Sequence, residues 1–433
     1  MTKAKSLIND SSSSERLNLF SIPGVMRASE LKPAPSSNMS AGDWKEFMLS
    51  AFRSRLSAEQ IAKEPYQTEY IAKELYQALL KKAPSDREWA VLFRLFAAFY
   101  SFSALAEQLD EADLSVEISE RAAYDVLFYF ADEAYDAAKI TSSALPFAFE
   151  SYIEQLRMDT GRLLGFPFNQ FPAARLDVYR LLWDSLFIKT EWRLAELERI
   201  TPAAGSSTVQ HAAFLHQLYL LGEMEQFTAK SLAAPVELFP YFLHWLQDSK
   251  RSDRFVHVLR SAASLAHDGL LTIENEYSRR LFVRQVIRLV EEDDISEHAP
   301  LLVKELYTSL LPFSYVSLSY FLLERGDYAE WVDLQMFIDA DLTDLDRAGL
   351  KSAIKEAPEL ALPLLHHGIA AFIAERNRSS YKKAVRFIKR MRTIYKKLKW
   401  TDEFDRWLQW TLSENRRLRA FQEECRKGGL LDD

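Results

Sequence analysis

Tyr320-Phe-Leu-Leu-Glu-Arg-Gly-Asp-Tyr-Ala-Glu-Trp331 holds the end of one helix, a tight turn at Gly326, and an aromatic opening the next helix. The same order recurs three times. Tyr241-Phe-Leu-His-Trp-Leu246 leads through a polar turn to Asp253-Arg-Phe255, and Ala371-Phe-Ile-Ala374 leads through Glu375-Arg-Asn-Arg378 to Tyr381-Lys-Lys-Ala384. Tyr395-Lys-Lys-Leu398 leads through Lys399-Trp-Thr to Asp402-Glu-Phe404. Outside these units the apolar residues also keep helical spacing. Trp44, Phe47, Met48, Ala51 and Phe52 share one side of a first helix. Ala90, Leu92, Phe93, Leu95, Phe96 and Phe99 mark another, with Ser85-Asp86 as its cap. Pro202, Gly205, Pro235, Pro240, Gly269, Pro300, Pro312 and Gly326 read as breaks. No stretch alternates apolar and polar long enough to be a strand. The chain reads as all-α.

The second aromatics of the four units lie 73, 53 and 23 residues apart. A fixed period of about 34 residues is therefore absent. The expectation is an irregular, tetratricopeptide-like α-solenoid of stacked helix pairs. Residues 1–41, with Ser11 to Ser14 and the Pro33-Ala-Pro35 pair, read as a disordered polar leader. An N-terminal helical array is expected over 42–232 and a C-terminal helical-repeat region over 233–433. Only 12 Gly and 15 Pro in 433 residues disfavour an α/β enzyme, whose strand-to-helix loops need glycine. One cysteine, Cys425, excludes an internal disulfide framework. No uninterrupted apolar run approaches the roughly 20 residues of a membrane span, and the N-terminus lacks a signal peptide's apolar segment. The expected setting is the cytoplasm, with no membrane partner.

Charge is distributed unevenly. Residues 376–433 carry 17 basic and 8 acidic side chains, a net of +9, inside a chain whose net charge is −8. Residues 1–375 therefore carry −17. From Arg376 to Lys399 there are eleven Lys or Arg residues and no Asp or Glu. Projected as a helix near 380–399, this segment puts Tyr381, Ala384, Val385, Phe387, Ile388, Met391, Ile394, Tyr395 and Leu398 on one half, with Arg392 intruding. Lys382, Lys383, Arg386, Lys389, Arg390, Lys396 and Lys397 share the opposite arc of about 140°, interrupted only by Thr393. Along the axis residues 382–397 extend about 22 Å. Like charges four apart, such as Lys382 and Arg386, oppose helix formation by a few tenths of a kcal/mol. Such an arc calls for an anion. That anion is nucleic-acid phosphate, an acidic protein partner, or the chain's own carboxylates.

Other clusters suggest less chemistry. Glu291-Glu-Asp-Asp294 with Glu297, and Glu107, Asp110, Glu111 and Asp113 at a helix end, read as solvated loops, with no converging His and no calcium-loop glycine. His366-His367 and the pair His211/His216 lack the spacing and third ligand of a zinc site. No Gly-x-Ser-x-Gly elbow, phosphate loop or His-Glu-x-x-His occurs. Cys425 has no base partner in reach of the sequence. The expectation is no catalytic residue, no metal ligand and no cofactor. The tryptophans and phenylalanines fall at helical spacing and read as core.

Several stretches of the C-terminal third carry a resemblance. They are Gly326-Asp-Tyr-Ala-Glu-Trp331, Pro358-Glu-Leu-Ala-Leu-Pro-Leu364, Glu375-Arg-Asn-Arg-Ser-Ser-Tyr-Lys-Lys-Ala-Val385, Ile394-Tyr-Lys-Lys-Leu-Lys399 and Arg417-Leu-Arg-Ala-Phe-Gln-Glu-Glu-Cys-Arg-Lys-Gly428. Val178-Tyr-Arg-Leu-Leu-Trp183 with Glu191-Trp192 adds weaker support. Through these, residues 316–430 resemble the C-terminal helical region of bacterial SWIM-type zinc-finger proteins of Bacillus-like Firmicutes. The resemblance implies a DNA-associated assembly. In that family a Cys-x-Cys pair followed by Cys-x-His binds zinc ahead of the helices. Those ligands are absent here, so zinc binding does not carry over, and the finger was either lost or is encoded in a separate upstream frame. The reading that results is a non-enzymatic helical-repeat interaction scaffold whose basic face meets an anionic partner. The alternative is a purely protein-binding module docking an acidic partner.

Overall fold

A computed structural model describes residues 39–143, 147–165, 170–203, 205–293 and 295–431. The described residues form helices joined by short turns, with no strand among them. The protein is all-α. It divides into two compact units, one ending at Tyr241 and the other beginning at Phe242. Residues 1–38 of the expected leader lie outside the described residues. The first helix, Ala41–Arg53, begins slightly earlier than the apolar spacing places it. Ser40 and Asp43 cap each other there: the Ser40 hydroxyl accepts from the Asp43 amide at 3.1 Å, and the Asp43 carboxylate accepts from the Ser40 amide at 3.0 Å.

In the first unit the helix Arg87–Glu111 is central. Asp86 caps it as the sequence predicts, and it packs on Ala41–Arg53, Thr68–Leu80 and Val116–Ser143. By length and composition this helix could cross a membrane, which uninterrupted apolar counting misses because Arg94, Ser101 and Ser103 break the run. In the protein 78% of its most apolar window is buried. Trp44 sits edge-on to Phe93, Phe96 and Tyr152 at 4.8–5.5 Å, a geometry that adds to the burial of each ring.

Three expectations about this unit and the next fail. Glu291 and Glu292 are not loop residues but end the helix Glu276–Glu292, where Lys250 pairs with Glu292. Glu107 and Asp110 are not solvated loop residues. They lie in the Arg87–Glu111 helix, where Arg162 bonds Glu107 at 2.7 Å and the buried Arg175 bonds Asp110. Burial raises the Asp110 carboxyl to about 6, outweighing the adjacent Arg175 guanidinium. Gly269 is not a break but a buried position inside the helix Arg254–Thr272. Packing there overrides the roughly 1 kcal/mol by which glycine disfavours a helix.

The second unit is a succession of helices whose turns follow the sequence pattern. Tyr315–Arg325 closes on Gly326 at φ 74°, where the Asp327 amide donates to Leu322 and the Gly326 amide to Leu323. Tyr328–Phe337 follows, and Trp331 Nε1 donates to the Ser319 hydroxyl at 2.9 Å. Leu342–Ala348 and Leu350–Glu356 then pack under Pro358–Ala374. Gly368 allows this approach: a Cβ there would lie 2.3 Å from the Leu342 Cγ. Pro358–Ala374 packs lengthwise on the basic helix, which also meets Thr401–Glu414 and Arg419–Lys427.

Candidate anion-binding face

The basic helix runs Arg378–Lys397. Asn377 starts it, its side chain accepting from the Ser380 amide at 2.9 Å. Lys396 and Lys397 in the last turn suit the negative end of the helix dipole. The end is a complete Schellman closure: the Trp400 amide donates to Tyr395 at 2.9 Å and the Lys399 amide to Lys396 at 3.2 Å. Lys399 takes the left-handed position at φ 63°, where glycine is the usual residue.

The projected halves match the burial. Tyr381, Ala384, Val385, Phe387, Ile388, Met391, Ile394 and Tyr395 are all buried. Phe387 stacks on Phe372 of the preceding helix at 5.9 Å, and Tyr381 packs on Phe421 at 5.5 Å. Each large apolar side chain buried this way contributes about 1.5–3 kcal/mol. The intruding Arg392 is exposed and donates to the Gly429 carbonyl at 3.2 Å.

On the other arc, Lys382, Arg386, Lys389, Lys396 and Lys397 are exposed, while Lys383 and Arg390 are half-buried. The seven fare differently. Arg390 bonds the Asp346 carboxylate, and Arg386 approaches its other oxygen at 3.8 Å. Lys383 lies 5.2 Å from the centre of the Phe372 ring. Lys397 donates to the Lys355 carbonyl at 3.4 Å and lies within electrostatic reach of Glu356. Lys382, Lys389 and Lys396 have no carboxylate within 4.0 Å among the described residues. Of the 17 basic residues from position 376 onward, five are ion-paired: Arg378, Arg386, Arg390, Arg406 and Lys427. The remaining twelve lack a carboxylate partner among the described residues. Among the described residues the chain's own acids therefore ion-pair with the face only in part, with Glu424, Asp341 and Glu356 further off in electrostatic reach of Lys382, Lys383 and Lys397.

The sequence reading misses two features beside this helix. All nine tryptophans are described, and only Trp400 and Trp410 are exposed, at 44% and 62%. Trp400 follows directly on the basic helix and Trp410 lies in the helix after it, Thr401–Glu414. The second feature is a cleft of about 710 Å³ between Pro358–Ala374 and Thr401–Glu414. Trp407, Trp410, His366 and His367 line it, with Arg376, Arg417 and the single acid Glu414 at its edge. His366 bonds the Tyr395 hydroxyl at 2.8 Å and meets the Trp407 ring edge-on at 4.7 Å. Burial lowers its pKa. His367 pairs with Asp339 at 2.8 Å.

Elsewhere the first unit holds a buried polar chain. The Tyr179 hydroxyl donates to Glu196 at 3.0 Å and accepts from Gln217 at 2.9 Å, and Arg199 grips Glu196 with two bonds of 2.6 and 2.7 Å. The Tyr179 hydroxyl and both Glu196 oxygens are satisfied in this way, which fits a structural role, while the Gln217 side-chain oxygen is buried with no hydrogen-bond partner among the described residues. Cys425 is buried, and burial pushes its thiol up to about 12. A thiol so held stays protonated and is a poor nucleophile. No group of three His, Cys, Asp or Glu side chains gathers to hold a metal among the described residues.

The chain is 26% identical over 365 residues to a protein of Bacillus subtilis (strain 168) named Uncharacterized protein YwqB. The match spans 82% of this chain and 67% of that protein. No protein-family model matches the sequence, and no solved structure does.

Proposed function

We propose that the protein is a non-enzymatic, tetratricopeptide-like helical scaffold whose C-terminal basic face binds the phosphates of nucleic acid. One observation carries the reading: twelve of 17 basic side chains from position 376 onward have no carboxylate partner among the described residues. Lys389 and Lys396 offer charge along the exposed edge, with Lys382 beside them in electrostatic reach of Glu424, all carried by a helix whose other half is buried. Phosphate contacts of this kind give affinity without reading sequence. The resemblance of residues 316–430 to the helical region of SWIM-type zinc-finger proteins adds a DNA-associated, cytoplasmic setting to the proposal. A second reading, an acidic protein partner, draws on Asp346, since a protein carboxylate already docks on Arg386 and Arg390.

The test replaces Lys382, Lys389 and Lys396 by Glu. Binding to DNA of arbitrary sequence at about 50 mM salt should disappear while the helical content stays unchanged. Wild-type affinity should fall by orders of magnitude between about 50 and 200 mM salt. No wild-type binding at the lower salt sinks the nucleic-acid reading and leaves the acidic protein.

A further inference from the structure

We infer that the cleft between Pro358–Ala374 and Thr401–Glu414 takes an unpaired base, so that the nucleic acid bound is single-stranded. This rests on the phosphate reading of the basic helix and narrows it to one class of strand.

The argument starts from the tryptophans. An indole is expensive to leave in water, and seven of the nine here are at least half-buried. The two that are not fall within eleven residues, immediately after the most basic segment of the chain. Trp410 is 62% exposed and stands at the wall of the 710 Å³ cleft, one turn beyond Trp407. Positions three apart share a helix face, so two indoles line the same side. Opposite them the exposed Ala370 and Ala374, over the buried Ile369 and Ile373, give an apolar wall. Such a space accepts a flat, apolar-faced ring.

Charge at the edge of the cleft specifies what that ring is attached to. Arg376 and Arg417 line it, and neither has a carboxylate within 4.0 Å among the described residues. Glu414 is the only acid in the lining. Arg376 is held with φ at 53°, which fixes its backbone at the junction between the cleft-lining helix and the basic helix. A planar ring bearing a phosphate fits this arrangement, with the ring against Trp410 and the phosphate on the guanidinium groups. Arg376 is also the first cation of the basic segment. Bases stacked inside a duplex cannot present a free face to Trp410. A single strand can.

Binding of a 20-nucleotide oligo-dT and of a 20-base-pair duplex to the full chain, at about 50 mM salt, tests this. The single strand should bind more tightly and quench tryptophan fluorescence; the duplex should bind with little quenching. Trp410→Ala should weaken the single strand roughly tenfold and leave the duplex unchanged, and Trp410→Phe should restore most of the loss. Equal affinity for both forms, with no effect of Trp410→Ala, overturns the base pocket while leaving the basic face intact. Loss of both forms only on charge reversal of Lys382, Lys389 and Lys396 would identify that outcome. Equal quenching by dTMP and by oligo-dT at the same nucleotide concentration also overturns it, because the cleft would then take free nucleotide.

Discussion

Arg390 and Asp346 form the ion pair that joins the basic helix to Leu342–Ala348, and Arg386 approaches the same carboxylate at 3.8 Å. One acid thus serves two cations of a seven-membered arc. Both Arg390 and Asp346 are about three-quarters covered, with side-chain exposures of 26% and 23%. This pair is therefore less screened than a surface pair, while Arg386, at 56%, contributes little to stability.

Asp346 competes with any anion that docks on the arc. Asp346→Asn should raise the affinity for a polyanion several-fold. It should also steepen the salt dependence, by about 0.9 in the log–log slope for each arginine that gains a phosphate. Fluorescence anisotropy at three or four salt concentrations reads both. An unchanged slope would mean that Arg386 and Arg390 lie outside the binding footprint.

Gly368 sets the distance between Pro358–Ala374 and Leu342. Gly368→Ala places a methyl 2.3 Å from the Leu342 Cγ and should destabilise the second unit by about 1–3 kcal/mol. Adding Leu342→Ala gives up the burial of Leu342 but vacates the clash, so the two changes should cost less together than the sum of each alone. Urea midpoints of the two single variants and the double decide it, and a double variant that loses as much as the two single changes summed, or more, would show that the close approach is not the cause.

His366 makes the fold pH-dependent. Its folded pKa is lowered from 6.5 by burial, so the folded state binds fewer protons than the unfolded one as pH falls. The stability it contributes is complete above pH 6.5 and is lost as pH falls through the lowered folded value. His366→Gln keeps a partner for the Tyr395 hydroxyl and removes the titration. Melting temperatures measured between about pH 7.5 and 5 should drop more steeply for the wild type than for the variant. Parallel curves would place the acid sensitivity elsewhere.

Zinc should be absent in stoichiometric amounts from the purified protein. Cys425 is buried and protonated, His366 and His367 already hold Tyr395 and Asp339, and no third ligand joins them among the described residues. Elemental analysis after dialysis checks this. Close to one zinc per chain would overturn it.

The helices were legible in the sequence wherever the signal was local. Asp86, Gly326 and the buried half of Arg378–Lys397 all follow from spacing and capping chemistry that act within one or two turns. What stayed hidden depends on partners far along the chain. Asp346 is 44 residues from Arg390, and Asp110 is 65 from Arg175. No local pattern announces either pair, so the neutralised part of the arc and the buried acids were invisible. Gly269 misleads because a glycine signals a turn only when packing does not hold the helix through it. Trp400 and Trp410 sit at helical spacing like the core tryptophans, and spacing alone does not say which positions find a neighbour.

Lys399 leaves the chain less stable than its own backbone would allow. A side chain in the left-handed region costs about 1–2 kcal/mol that glycine avoids, and glycine's freedom in the unfolded chain offsets only part of that. Lys399→Gly should thus raise the unfolding free energy by roughly 1 kcal/mol or less. It would also delete a cation beside Trp400, at the point where the basic helix stops. Thermal tolerance and charge pull in opposite directions at this one residue, and the sequence as it stands favours charge.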